Sequence, residues 1–342
     1  MAISSGAGPH FAWLSVDGAT FPLENGSVEQ RATRKSSTFS GAIPLSYPGA
    51  EAAFANLGDN TAVVTVSTRG NMQTLVTGEV DVAEFDYVGR VIRISGRDKA
   101  APLHSNKTSE KWLNKTGSDI VSDLAGRVGL SVSAQASQLL AGKKLEQDFV
   151  RLSDNVSFAY VIHKLAEFDG ARWWVDATGT LQYQLSNSPQ GTYTLNYVRP
   201  GPGPMAADFM GLKIRRNVQA GKSVSVSVKS WHPKDKKVYQ DTSNVEGNGG
   251  PINYNYHIPN LIQDHVKQHA RSRANEHARH ELTLHADMVG DPSINVAMGL
   301  VLSGTGFFDQ AYEMDVVHHT LGMSGHRMSI TAKAAKSGRS AS

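Results

Sequence analysis

Apolar and polar residues alternate along both ends of the chain. Before residue 99 the alternation runs through "TAVVTVSTRG", "MQTLVTGEVDVAEFDY" and "GRVIRISGRD", with glycine turns between the stretches. After residue 200 it returns in "LKIRRNVQAGKSVSVSVKSWHP" and in the closing "RMSITAKA". A period of two with one apolar side is typical of antiparallel strands that bury one face. We therefore predict a first β-domain over residues 1–98 and a second over residues 201–336.

The region between these domains has a different pattern. "SDIVSDLAGRVGLSV" carries apolar residues at helical spacing, then a glycine and a strand-like run, and "SFAYVIHKLAEFDGARWWVDATGTLQY" repeats that order. We predict an α+β middle region over residues 99–200, built from helix–strand units at about 107–140 and 150–198. The segment "VRPGPGPM" cannot sustain a helix or a strand ladder, so it predicts the domain boundary. We predict a frayed tail over residues 337–342.

One helix is predicted inside the second β-domain, over about residues 260–282. Its apolar residues recur every fourth position and are mostly small, which suits a close contact with a sheet. This packing stripe consists of Ile262, Val266, Ala270, Ala274 and Ala278. The helix is also rich in histidine, and we predict that the stripe packs on the sheet of the second domain while the histidines lie outside.

His265 and His269 lie one turn apart on this helix and are candidate metal ligands. A zinc site needs a third protein ligand, and a hydrolase also needs a base beside the bound water. The run "EHARHE" does not have the H-E-x-x-H order of metalloproteases. We therefore predict no metal site, no cofactor and no catalytic residue, and a histidine-based metalloenzyme remains an alternative.

Composition excludes several classes of function. The 342 residues include no cysteine, which excludes disulfides and thiolate chemistry. A formal net charge of +3 with 19% charged residues is too balanced for a protein that binds DNA through its phosphates. The sequence contains no secretory signal and no apolar run long enough for a membrane anchor.

Several stretches follow one another in a recognisable order: "GEVDVAEFDYVGRVIRISGRDKAAPL", the two middle units, the alanine-rich helix, "GTGFFDQAYEMDVVHH" and "RMSITAKA". This order resembles the late control protein D family of phage baseplate hub proteins. The family is related to myophage tail hub proteins and to the N-terminal part of type VI spike proteins. The signature residues are Gly290, Asp291, Pro292, Gly299, Gly304, Gly306, Phe308, Asp309, Tyr312 and His318.

Some of these residues also have a direct structural interpretation. Gly304 and Gly306 suit a tight turn between strands. Tyr312 and Met314 alternate with Glu313 and Asp315, which predicts one apolar and one solvated face. The adjacent His318 and His319 must point to opposite faces of the same strand, so we expect one of them to face a core.

The resemblance implies an α+β, predominantly β protein in which two tube-like antiparallel β-barrel domains bracket the small α+β middle region. It implies a structural, non-enzymatic hub. Three copies would form a pseudo-sixfold ring that joins a sixfold tail tube to a threefold spike and leaves a channel for ejection. The expected partners are further copies of the chain in a homotrimer, a tail tube or distal tube protein, baseplate proteins and DNA in transit.

The resemblance also implies a location in the virion, in the tail baseplate of a contractile injection system, after synthesis in the host cytoplasm. The chain ends soon after the second β-domain, so we expect a separate spike protein. The rival interpretation from another class is a peptidoglycan-binding or hydrolytic tail module. It is suggested by "KTGSDIVSDLAGRVGLSV", whose pattern resembles small peptidoglycan-binding repeats.

Overall fold

The computed structural model of the chain describes residues 11–32, 35–68, 71–110, 112, 114–141, 155–185, 189–198, 206–233, 235–322 and 325–335. The predicted tail at 337–342 and most of the predicted boundary at 198–205 lie outside these residues. Strands predominate and helices are few, so the predicted class, α+β and mainly β, is confirmed. Among the described residues, no helix combines the length and the apolar character that crossing a membrane requires.

The first β-unit is an antiparallel sheet with the strand order β3-β4-β7-β6-β5-β1-β2. Alternate residues of these strands are buried, as the period of two predicts, and form one apolar core that includes Leu14, Phe39 and Ile92. Its elements are β1 (Phe11–Val16), β2 (Ala19–Leu23), β3 (Asn25–Arg31), β4 (Thr38–Pro44), α1 (Ala50–Ala55), β5 (Ala62–Thr68), β6 (Asn71–Asp86) and β7 (Val91–Asp98).

The middle unit packs helices against the three-stranded sheet β11-β12-β9 around one apolar core. The two predicted helix–strand units therefore form a single body, because β9 of the first pairs in parallel with β12 of the second. Thr116 caps the first of the two main helices in a capping box with Asp119, and Gly170 ends the second with φ 66°. The elements are α2 (Ala101–Ser105), β8 (Lys107–Thr108), α3 (Gly117–Gly126), β9 (Val132–Ala134), β10 (Val156–Ser157), α4 (Phe158–Asp169), β11 (Ala171–Val175) and β12 (Leu181–Leu185).

The second β-unit has the strand order β15-β19-β22-β21-β20-β13-β14 and carries an inserted three-stranded sheet, β17-β16-β18, with one helix. Its elements are β13 (Thr192–Val198), β14 (Ala206–Ala207), β15 (Gly211–Arg216), β16 (Val224–His232), β17 (Lys237–Val245), β18 (Ile252–His257), α5 (Gln263–Arg279), β19 (Leu282–Val289), β20 (Gly299–Ser303), β21 (Ala311–Gly322) and β22 (Gly325–Ala334).

Strand β13 does not belong to the middle region, where the prediction placed residues 150–198. It pairs in parallel with β20, and its Leu195 is fully buried in the core of the second β-unit. The alternation of residues 192–198 identifies a strand, but it carries no information about which sheet the strand joins. The second β-unit therefore begins before the proline- and glycine-rich segment.

The two β-units repeat one topology. When β13, β14, β15, β19, β20, β21 and β22 are matched in chain order to β1 through β7, the two spatial strand orders are identical. The inserted sheet and α5 fall between the third and fourth strands of the second copy. One pairing differs, since β1 and β5 are antiparallel whereas β13 and β20 are parallel. The chain thus contains two similar β-units joined in tandem.

Candidate assembly interface

The two β-units are joined edge to edge by strands β21 and β3. Seven residue pairs connect these strands in antiparallel register, from Val316 opposite Arg31 to Gly322 opposite Asn25. One continuous 14-stranded sheet therefore runs through both units, and one path through it has the order β15-β19-β22-β21-β3-β4-β7-β6. Because strand pairing uses backbone groups of both partners, this junction sets the relative position of the two units.

On its inner face the junction exchanges side chains between the two cores. Leu321 of the second unit packs in the core of the first, and Ala32 of the first packs in the core of the second. His319 is fully buried opposite Val28, as expected for one of the two adjacent histidines. The side-chain amide of Gln30 donates to the backbone oxygen of Leu75, 2.8 Å away. Separating the units would expose apolar surface from both.

His319 forms a buried pair with His326. Nδ1 of His319 lies 2.9 Å from Nε2 of His326, and both rings are almost completely buried. Burial, with smaller contributions from His326 and His318, lowers the pKa of His319 to about 3. His319 is therefore neutral at physiological pH. On the opposite face, Nδ1 of His318 lies 3.8 Å from a carboxylate oxygen of Glu29.

A bulge at Asp315 begins the junction and gathers a cluster of charges. The pairing of β21 with β22 shifts between Met314 and Val316. The backbone N–H of Ala32 donates to the backbone oxygen of Asp315 at 3.0 Å. Nζ of Lys333 lies 2.8 Å from the Asp315 carboxylate. A bulge of this kind turns a side chain out of the regular alternation and bends the strand. In this strand it marks where β21 changes partner from β20 to β3.

Two arginines connect this bulge to the other parts of the chain. Nη2 of Arg279, on α5, lies 3.1 Å from Glu313 and 3.2 Å from Asp315. Arg172, on β11 of the middle unit, donates to the Met314 backbone oxygen, and its Nε lies 3.9 Å from Glu313. Glu313 is thus buried between two cations, and the prediction that it lies on a solvated face is wrong. The middle unit and α5 cover that face of the strand.

Burial and charge act in opposite directions on these arginines. Burial tends to lower the pKa of Arg279, but the charges of Glu313 and Asp315 outweigh it and raise that pKa above its ordinary value. Burial lowers the pKa of Arg172, and the same two carboxylates partly offset the effect. The cluster therefore depends on each buried charge keeping its partners.

The predicted signature residues build the turn between β20 and β21 and the loop before β20. Gly304 and Gly306 have φ values of 93° and 82°, and a side chain at Gly304 would collide with the Tyr197 backbone. Asp309 accepts bonds from the N–H groups of Gly304 and Thr305 at 2.9 and 2.8 Å. These contacts fix the start of β21, the strand that forms the junction.

The remaining signature residues have structural roles as well. The buried Tyr312 donates its hydroxyl to the Phe308 backbone oxygen at 2.9 Å. Asp291 accepts from the backbone and hydroxyl of Ser293, and Pro292 lies between them in the turn. The other three residues lie on or beside strands: Gly290 packs against the His326 ring without room for a side chain, Gly299 starts β20, and His318 lies in the junction.

Four of the five predicted stripe residues are buried on α5. Val266, Ala270 and Ala274 pack against β16 in a separate small core, and Ala278 is also buried. The sheet they contact is the inserted sheet β17-β16-β18 and not the large one. Ile262 is the exception, because it precedes the helix as its N-cap and is 40% exposed.

The prediction that the histidines lie outside is wrong for His265 and His269. Both rings are buried against Phe168 of α4, with centroid separations of 5.4 and 5.0 Å. The helix lies between the inserted sheet and the middle unit, so a second face is covered in addition to the alanine stripe. His277 stacks on Tyr254 at 4.0 Å, and His280 is exposed. In the part of the chain that the structure describes, no three His, Asp or Glu side chains are grouped to hold a metal ion.

Sequence reasoning missed the residues that join the units. Strand β3, Arg172 and Arg279 were not predicted as site residues. A signal was present for the bulge, because residues 79–83 read "EVDVA" and residues 313–317 read "EMDVV". Each segment carries a bulge at its aspartate, Asp81 or Asp315. The similar segments, each with a bulge at its aspartate, are thus a sequence signal of the internal repeat.

No protein-family model matches the sequence, and no curated protein does so either. Solved structures do match. A tail protein from Neisseria meningitidis has a TM-score of 0.72 and 13% identity, with 95% of this chain and 97% of that chain covered. The 43 kDa tail protein of prophage MuSo2 from Shewanella oneidensis has a TM-score of 0.67 and 13% identity, with 95% and 98% covered.

A third match is an E. coli component of the type VI secretion system, described as structurally similar to the bacteriophage T4 tail proteins gp27 and gp5. Its TM-score is 0.55 at 10% identity, with 96% of this chain and 79% of that chain covered. All three likenesses extend over nearly the whole of this chain, including both β-units and the middle unit. The chain therefore has the fold shared by phage tail proteins and type VI spike-associated proteins, in agreement with the resemblance found in its motifs.

Proposed function

We propose that this chain is a structural hub protein of a phage tail baseplate or a related contractile injection system. The observation that carries the proposal is the pair of repeated β-units, joined edge to edge in one continuous sheet within a fold shared with tail proteins. Three copies would present six similar β-units, which matches a sixfold tube on one side and a threefold spike on the other. Such a trimer needs only one kind of contact between neighbouring copies, and contacts between unlike surfaces close into rings.

The buried charge cluster supports a mechanical role for the chain. Arg172 and Arg279 connect the middle unit and α5 to the bulge beside the junction. A part that joins tube and spike must hold its units in fixed positions, and moving a buried charge away from its partner is strongly destabilising. The proposed partners are further copies of this chain, a tail tube or distal tube protein, a separate spike protein and baseplate proteins. DNA is proposed to pass through the central channel.

The test is the copy number and position of the chain in its native particle. Tails purified from lysates would be studied by cross-linking mass spectrometry and cryo-electron microscopy. We expect three copies in a ring between the tube and the spike. A chain that is absent from tail particles, or present along the whole tube in many copies, would overturn the proposal.

A further inference from the structure

The two β-units correspond residue by residue along their longest hairpins. Pairing of β6 with β7 places Val80 opposite Gly96, skips Asp81 and continues with Val82 opposite Ser95. Pairing of β21 with β22 places Met314 opposite Ala332, skips Asp315 and continues with Val316 opposite Thr331. Asp81 is thus equivalent to Asp315, and the cation beside each also corresponds. Arg97 binds Asp81 at 2.7 Å, and Lys333 binds Asp315 at 2.8 Å.

The correspondence extends across the sheet to β3 and β15. Gly96 pairs with Phe39 and Phe39 with Val28, whereas Ala332 pairs with Leu284 and Leu284 with Ile214. Val28 of β3 is therefore equivalent to Ile214 of β15. Within the chain, β21 of the second unit uses its edge to bind β3 of the first.

The edge of β6 that corresponds to the paired edge of β21, and the edge of β15 that corresponds to that of β3, have no strand partner among the described residues. β15 pairs only with β19. Beyond Val80, whose backbone bonds to the Asn60 side chain, β6 pairs only with β7. These two edges are the ends of the eight-strand path from β15 to β6 described above, and β6 pairs with β5 only up to Gly78. Seven strand spacings separate them, or about 34 Å along the sheet, which prevents them from pairing within one extended sheet. An edge with unpaired N–H and C=O groups is a template for a strand of another chain.

We infer that residues 82–88 of one copy pair with residues 211–217 of the next copy, in the register that the internal junction uses. This inference rests on the proposed ring of copies and specifies the contact between them. Transferring the register places Val82 opposite Asn217, Glu84 opposite Arg215 and Asp86 opposite Lys213 on one face. On the other face, Ala83, Phe85 and Tyr87 lie opposite Arg216, Ile214 and Leu212.

Charge on the first face supports this register. Glu84, Lys213 and Arg215 are exposed and form no ion pair with any other described residue. The transferred register places both cations directly opposite carboxylates, and opposite charges at facing positions of an antiparallel pair stabilise it. A shift by two residues keeps the faces but places Glu84 opposite Lys213 and leaves Asp86 facing Gly211. The internal junction carries a related pair, His318 facing Glu29.

Apolar residues support the same register. Ala83 and Phe85 pack beside the core of the first unit, and Leu212 and Ile214 pack beside the core of the second. In the proposed pairing these residues share a face, so the two cores become continuous between copies as they are within one copy. Large apolar side chains are exposed at and next to this edge. Val82 of β6 is 57% exposed, and Tyr87 and Val88, in the turn that follows β6, are 63% and 97% exposed. Burial of such a group is the main source of affinity in a contact of this type.

Cysteine cross-linking tests the register directly, because the natural chain contains no cysteine. The variant Glu84→Cys/Arg215→Cys places two thiols at facing positions, whose Cβ atoms are about 5 Å apart in an antiparallel pair. Tails carrying this variant are oxidised and resolved on denaturing gels without reductant. We expect a ladder that ends at the covalent trimer. The control Glu84→Cys/Lys229→Cys, with the second thiol on an exposed position of β16, should remain monomeric.

Charge reversal provides a second measurement that does not depend on thiol geometry. Glu84→Arg should lower the yield of assembled tails by about tenfold or more, since like charges at facing positions oppose pairing. Glu84→Arg/Arg215→Glu should restore the yield. Both positions are exposed, so circular dichroism should show that each variant folds normally.

The outcomes separate the register from the proposed function. A three-copy ring in the native particle without cross-linking, and without rescue by the double reversal, would overturn the register and leave the hub function in place. A chain outside any tail particle would overturn both. Cross-linking to a ladder longer than three copies would overturn threefold closure.

Discussion

Glu313 offers a sharp test of the buried charge cluster, because the repeat supplies a matched control. Its side chain is 9% exposed and lies 3.1 Å from Arg279 and 3.9 Å from Arg172. Glu79 occupies the equivalent position of the first unit, next to the equivalent bulge, but is exposed. Glu313→Gln and Glu79→Gln therefore make the same chemical change in the same local sequence. Only the surroundings differ.

Glu313→Gln removes the charge that both arginines share while keeping the shape of the side chain. Arg279 retains Asp315 and Glu276, whereas Arg172 keeps its bond to the Met314 backbone and loses its nearest carboxylate. Removing one partner of a buried ion pair costs about 3–5 kcal/mol. Because Arg279 keeps other partners, we expect a loss near the lower limit, about 3 kcal/mol in the free energy of unfolding. Glu79→Gln should change it by less than about 0.5 kcal/mol.

The assay is urea unfolding of the purified chain followed by circular dichroism and tryptophan fluorescence. Trp174 is buried in the core of the second unit and lies beside Arg172, so its fluorescence reports on this region. A second variant, Glu313→Gln/Arg172→Met, removes the stranded cation as well and should recover part of the loss. Equal losses of stability in Glu313→Gln and Glu79→Gln would contradict a buried charge cluster. So would a loss in the double variant that exceeds the sum of the losses in its two single variants.

Three further predictions concern burial on α5 and in the histidine pair. Ala274→Asp places an unpaired charge at a fully buried contact and should lower the free energy of unfolding by at least about 3 kcal/mol, whereas Asn275→Asp on the exposed face should leave it unchanged. Thermal unfolding compares the two variants, and an Ala274→Asp chain as stable as the natural one would contradict the packing of α5. His269→Ala removes a buried ring that contacts Phe168 and should lower the free energy of unfolding by about 1–3 kcal/mol, whereas His280→Ala at an exposed position should not change it. Equal melting temperatures of the two variants would contradict the contact. Burial lowers the pKa of His319 from 6.5 to about 3 in the folded state, so the unfolded chain binds a proton that the folded chain does not. The contribution of His319 to stability is therefore complete above pH 6.5 and falls by about 1.4 kcal/mol per pH unit as the pH decreases toward 3. Urea unfolding between about pH 5.5 and pH 4 should show this slope, and His319→Gln should reduce it by one proton. An unchanged slope would mean that His319 is not buried in its neutral form.

Local patterns predicted most of the secondary structure. The period of two indicated the strands of both β-units, the glycine at position 170 marked the end of α4, and the four-residue spacing identified one buried side of α5. Each of these signals is local, because a cap or an alternating face is set by residues within one element. The same reasoning placed His318 and His319 on opposite faces.

The pairing of distant elements could not be predicted in this way. β13 looks like any half-buried strand, and its sequence does not show that its partner is β20, about a hundred residues later. His265 and His269 are polar residues beside an apolar stripe, and only the approach of α4 makes their side of the helix a second buried face. Arg172 was missed for the same reason.

Glu79 and Glu313 show how far local sequence patterns can predict the surroundings of a side chain. The alternating pattern alone places each of them in a strand, one residue before an apolar position and two before an aspartate. The packing of distant elements leaves Glu79 exposed to solvent and places Glu313 beside two arginines. Alternation along a strand depends on local geometry, whereas the burial of a charge depends on the elements that cover the strand. For Glu313 these elements are β11 and α5.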